Sequence, residues 1–130
     1  MTAQQMSDKI VERVVGDAKG VGVSVCEVVE ACGPDARGDF GLEFRRNLLL
    51  WGGVSPLFAE AFSLAFEGER IEVGILPKIL VFTEPRWLAL PIAKSVRDYA
   101  RPRWLPVTLL PKGRLGQAVA GRSPARLSPQ

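Results

Sequence analysis

The chain contains no histidine, only two cysteines and no long uninterrupted apolar run. Each absence removes a class of chemistry. A tetrahedral zinc site has too few ligands without histidine when the two thiols are not paired as Cys-x-x-Cys, and neither thiol has an imidazole to activate it as a nucleophile. No serine sits in a Gly-x-Ser-x-Gly elbow, and Gly20-Val21-Gly22 completes neither a phosphate-binding loop nor a dinucleotide fingerprint. Two carboxylate pairs lie close in sequence, Asp35 with Asp39 and Glu67 with Glu69. They fall in a loop and at a helix end, where acids are common, so neither reads as an acid-base couple. The sequence predicts a protein that is not an enzyme and carries no cofactor or metal.

The longest stretch free of charge, Asn47 to Ala59, is interrupted by Gly52, Gly53 and Pro56. It falls short of the roughly 20 apolar residues that a spanning helix needs. Met1 to Asp8 is polar and lacks the basic-then-apolar pattern of a secretory leader, which predicts a cytoplasmic protein with no membrane partner. Cys26 and Cys32 stand six apart on one predicted helix. That spacing separates their Cα atoms by about 9 Å, too far for a disulfide, and predicts two reduced core thiols.

What is present is an ordinary globular composition, 130 residues with 47% hydrophobic and 24% charged side chains, enough for one real core. Charge is distributed unevenly. Residues 1–85 carry eight basic and thirteen acidic side chains, whereas residues 86–130 carry nine basic side chains against the single acid Asp98. The second part is an anion-seeking surface. The predicted organisation is a single α+β domain over 1–110 and a basic flexible tail over 111–130, because the tail has four basic residues with glycine, proline and serine but little to bury.

Along the chain, Ser7 is placed to cap a first helix with the stripe Ile10, Val11, Val14 and Val15, ended by Gly16 to Gly20. Val21 to Val25 is short and β-branched. Ser24 with Glu27 forms a capping pattern for a second helix, Val25 to Ala31, which Gly33 and Pro34 stop. Asp39 is placed to cap a third helix from Phe40 to about Trp51, with Arg45, Arg46 and Asn47 on its polar side. Ser55 caps a fourth, with Pro56 at its first position and an apolar surface that predicts deep burial. Three extended runs follow, Arg70 to Leu76, Lys78 to Thr83 and Arg86 to Ile92, predicting a small antiparallel sheet. Ala93 to Ala100 fits one or two helical turns. Trp104 to Leu110 is extended, with Pro102 and Pro106 assigning it to an edge.

Two helices joined through Trp51-Gly52-Gly53-Val54-Ser55, preceded by a shorter helix pair and followed by a sheet, give an order of elements that resembles a winged helix-turn-helix domain. The resemblance covers residues 7–93. It is most suggestive from Ser55 to Val73, which looks like the second helix of the motif running into the first wing strand, with the wing over Pro77 to Arg86. It implies that the helix from Ser55 to Glu67 lies where such a domain places its recognition helix. That helix carries Glu60 and Glu67 and no Lys, Arg, Asn or Gln, so contacts to DNA are expected elsewhere.

The expected nucleic-acid surface is Arg86, Trp87, Arg97, Arg101, Arg103, Trp104, Lys112 and Arg114, in which guanidinium and ammonium groups meet phosphates and Trp87 and Trp104 offer stacking faces. The corresponding function is a transcription or DNA-processing accessory that binds DNA mainly through backbone electrostatics. The alternative is a protein-interaction module or dimeric adaptor that uses apolar surface on the third and fourth helices and makes no nucleic-acid contact.

Overall fold

A computed structural model describes residues 1–17, 20, 22–76, 81 and 86–113. They form an α+β arrangement of three helices, a three-stranded sheet and a two-stranded sheet. Helix α1, Ala3–Val15, is capped five residues before the predicted cap at Ser7. Thr2 is the cap: its hydroxyl accepts from the Gln5 amide while the Gln5 side chain accepts from the Thr2 amide, a reciprocal capping box. Ser7 is instead a fully buried helix-interior residue whose hydroxyl finds no partner. Helix α2, Val25–Cys32, is capped by Ser24 as predicted and stops at Gly33, whose φ of 83° lies in the region glycine occupies without strain. Cys26 and Cys32 are free and buried.

The predicted third helix is instead a β-hairpin. Strand β1, Arg37–Arg45, pairs antiparallel with β2, Leu48–Val54, around the two residues Arg46 and Asn47. Phe40, Leu42 and Phe44 alternate with Gly41, Glu43 and Arg45, a period of two that a strand satisfies and a helix does not. Asn47 sits at φ 58°, a left-handed conformation that asparagine tolerates better than most residues. The ladder is irregular, with register shifts along its length. Near its start, a Cβ on Gly38 would lie 2.8 Å from the Val54 carbonyl oxygen, so the strands approach where no side chain fits. The helix-glycine-helix that carried the winged-helix resemblance is therefore a hairpin followed by a helix, and the greater part of its wing, 77–80 and 82–85, lies outside the described residues.

Helix α3, Pro56–Glu67, starts at Ser55 with Pro56 at its first turn, as expected. Its buried side chains Phe58, Ala61, Phe62 and Ala65 form one stripe, while Leu64 faces outward. α1 packs chiefly on α3, so Met6, Ile10 and Val14 meet that stripe, and Arg70 Nη1 ties the far end to Asp8 at 2.7 Å. Phe66 stacks on Phe62 and meets Phe44 of the hairpin edge-on, joining α3 to β1.

Strand β3, Ile71–Ile75, matches the first extended run, but its partner is not the next one. It pairs with β5, Val107–Pro111, in continuous antiparallel register from Ile71 opposite Pro111 to Ile75 opposite Val107. The other side of β5 bonds Val23 through Leu109 in both directions, so β5 is interior to its layer rather than an edge. Pro106 precedes the strand and Pro111 ends it, so neither removes a donor from its middle. Arg86 to Ile92 is irregular, with Leu90 turned back on Leu88 and one bridge from Ile92 to Trp104. Lys78 to Thr83 lies outside the described residues apart from Val81. Ala93 to Ala100 forms bends and no helical turn.

Strand β4, Arg103–Trp104, is the third member of the hairpin sheet and runs parallel to β2. At the C-terminal end Pro111 belongs to β5, and Lys112 follows in a turn, so the described fold extends past Leu110.

Candidate functional site

Several cations gather around the buried ring of Tyr99 at the tip of the hairpin, where residues 93–104 fold over the Arg46-Asn47 turn. Four hydrogen bonds latch the two segments. The Tyr99 amide donates to the Arg46 carbonyl at 3.0 Å, and Asn47 Nδ2 donates to the Tyr99 carbonyl at 2.9 Å. The Arg103 amide donates to the Asn47 carbonyl at 2.8 Å, and Arg45 Nε reaches Asp98 at 3.2 Å. Glu43 accepts from the Asn47 amide and fixes the turn from inside the strand.

Tyr99 is the centre of this latch. Its ring is buried, and the Arg97 and Arg103 guanidinium carbons lie 4.6 and 5.4 Å from its centroid. Both are within range of a cation-π attraction, which holds two otherwise flexible side chains in defined positions. The phenol oxygen accepts from the Ser95 amide at 3.1 Å and donates to the Ser95 carbonyl at 2.8 Å. Burial pushes the phenol pKa up. Hydrogen bonds from Arg97 and Ser95, with the Arg97 charge, outweigh it and bring the group down to about 8.

The eight expected site residues do not form one surface. Arg97 and Arg103 meet over Tyr99, and Arg101 lies exposed on the chain between Tyr99 and Arg103. Arg86 sits apart, 3.8 Å from Glu30 of α2. Trp87 is 48% exposed and packs its ring 5.9 Å from Trp104. Trp104 is only 3% exposed, donates its indole N–H to the Leu50 carbonyl and meets Trp51 edge-on, so it is a core residue with no face to stack on a base. Lys112 belongs to the other sheet, where it pairs with Glu69 and Glu72 at 3.3 and 3.7 Å. Arg114 lies outside the described residues.

Sequence reading passed over Arg45, Arg46 and Asn47 as the polar side of a helix. A double arginine followed by asparagine, between the alternating run Phe40 to Phe44 and the apolar run Leu48 to Trp51, is the signal that would have marked them as a hairpin tip. Elsewhere, Cys26 Sγ lies 3.4 Å from Glu30 Oε1, and burial, reinforced by that carboxylate, pushes its thiol pKa up. Burial also raises Cys32. Among the described residues no group of three or more His, Cys, Asp or Glu side chains is arranged to hold a metal ion.

No protein family model matches this chain, and no solved structure matches it. Over 57 residues, 44% of its length, the chain is 37% identical to a cobalt transport protein, CbiM, of Chlorobium limicola. The match spans 22% of that protein's length. This similarity overturns the nucleic-acid assignment, because the relative is a transport protein and not a DNA-binding one. The expected DNA partner and the transcription or DNA-processing role fall with it. So do the cytoplasmic placement and the exclusion of a membrane partner, since transport is work done at a membrane. No helix among the described residues is long and apolar enough to cross one.

Proposed function

We infer that this chain serves a membrane transport system for metal ions as an accessory domain that docks on the transport assembly. The observation that carries this reading is the 37% identity over 57 residues to a cobalt transport protein. The helices of 13, 8 and 12 residues are each shorter than the roughly 20 that a span needs, so the reading places the described fold against the membrane face of the assembly. The metal is cargo, and the reading leaves its ligation to other parts of the system. The fold offers a rigid hairpin and a fixed display of guanidinium groups, which suit assembly or regulation.

The test is cobalt accumulation in the native host when external cobalt is limiting, with the gene intact, deleted and restored. Deletion should lower accumulation several-fold, and the restored full chain should recover it. Unchanged accumulation in the deletion strain would overturn the reading.

A further inference from the structure

Six cations crowd the hairpin tip and the segment folded over it: Arg45, Arg46, Lys94, Arg97, Arg101 and Arg103. Among the described residues, Glu43 and Asp98 are the acids of the tip and of the segment folded over it. Glu43 is engaged with the Asn47 amide, and Asp98 is engaged with Arg45. Arg46, Lys94, Arg97 and Arg101 are exposed, and no ion pair to an acid engages them among the described residues. Their like charges make this end of the hairpin a positive surface that a polyanion neutralises. Arg97 and Arg103 are positioned over Tyr99, so their planar donors need little further ordering to meet phosphate oxygens. Exposed arginines gathered on one surface are the composition that anionic lipid headgroups attract.

We propose that the hairpin tip and residues 94–103 form a docking surface for an anionic lipid bilayer, with the arginines against headgroup phosphates. The choice of a bilayer over other polyanions rests on the transport reading. The charge geometry stands without it.

The experiment is flotation of the full chain with vesicles of phosphatidylcholine alone and of phosphatidylcholine mixed with phosphatidylglycerol. Wild-type protein should float with the anionic vesicles and stay behind with the neutral ones, and added salt should release it. Arg46→Gln and Arg101→Gln are exposed changes outside the latch side chains. Each should lower partitioning by roughly fivefold, and the double variant by their product. Circular dichroism of the variants checks that the fold is intact. Equal binding to both vesicle types, or wild-type binding by the folded double variant, overturns the proposal. Binding to polyglutamate that anionic vesicles fail to displace also overturns it and assigns the surface to an acidic protein. If vesicle binding fails while deletion still lowers cobalt accumulation, the transport reading stands and only the lipid surface is lost.

Discussion

Replacing Arg97 with glutamine should raise the pKa of the Tyr99 phenol above its native value of about 8. In the native protein the ring is buried, which by itself raises the pKa from its usual 10.0, yet Arg97 and Ser95 bring it to about 8. That difference is about a hundredfold preference for the phenolate, at tenfold per unit. The variant removes both the Arg97 hydrogen bond and its charge, leaves the Ser95 hydrogen bonds that lower the pKa, and leaves the burial that raises it, so the balance shifts upward. The sign for stability follows from proton counting. The native state loses its proton at about 8 and the unfolded state near 10.0, so between those values the unfolded chain binds more protons and the native state gains stability as pH rises. Below about 8 this contribution is absent. Tyr99 is the only tyrosine in the chain, so the near-ultraviolet tyrosinate band reports it without overlap from another phenol. Wild-type titration at or above 10.0, or identical curves for wild type and Arg97→Gln, would refute the reasoning.

Other consequences concern the fold and its latch. Ser7→Ala should raise the thermal midpoint, because an unpartnered hydroxyl is removed from a fully buried helix position; the gain is about 1 kcal/mol. Phe58→Ala, at 0% exposure between α3 and α1, should lose about 3–5 kcal/mol in urea unfolding, a large part of the stability of a domain this size. Asn47→Gly keeps the left-handed turn but loses the bond to the Tyr99 carbonyl, at about 1 kcal/mol; Asn47→Ala should cost about 1–2 kcal/mol more for its φ. The midpoints should therefore fall in the order wild type, glycine, alanine. Burial, joined for Cys26 by Glu30, raises both thiols, so iodoacetamide should label Cys26 and Cys32 slowly in the native protein and readily in urea. Comparable native and denatured rates would place at least one thiol outside the core.

Helices α2 and α3 were legible because their signals are local. Ser24 and Ser55 accept the hydrogen bonds that begin each helix, and Gly33 and Gly68 close them. The Thr2-x-x-Gln5 box at the start of α1 is an equally local signal. The hairpin was misread because Phe40, Leu42, Phe44, Leu48 and Leu50 also suit a helix when counted without their period. The period of two, together with Asn47 at the turn, carried the correct answer. The expected site failed for a different reason: Trp104 and Trp87 carry the same chemistry in sequence, yet one is buried on Leu50 and the other exposed.

The sequence by itself determined the α+β class, the capped ends of two helices, the reduced state of the thiols and the concentration of positive charge after residue 85. These depend on neighbours a few residues away or on composition alone. Only the tertiary structure decided which strands pair, since β3 finds β5 some thirty residues later and β2 takes β4 in parallel, choices governed by packing across the core. It also decided which cations act together. Lys112 is drawn to Glu69 and Glu72, while Arg97 and Arg103 are gathered over Tyr99 because that segment bonds to a turn fifty residues earlier. Charge has no range in sequence; its partners are set by where the backbone hydrogen bonds bring the chain back.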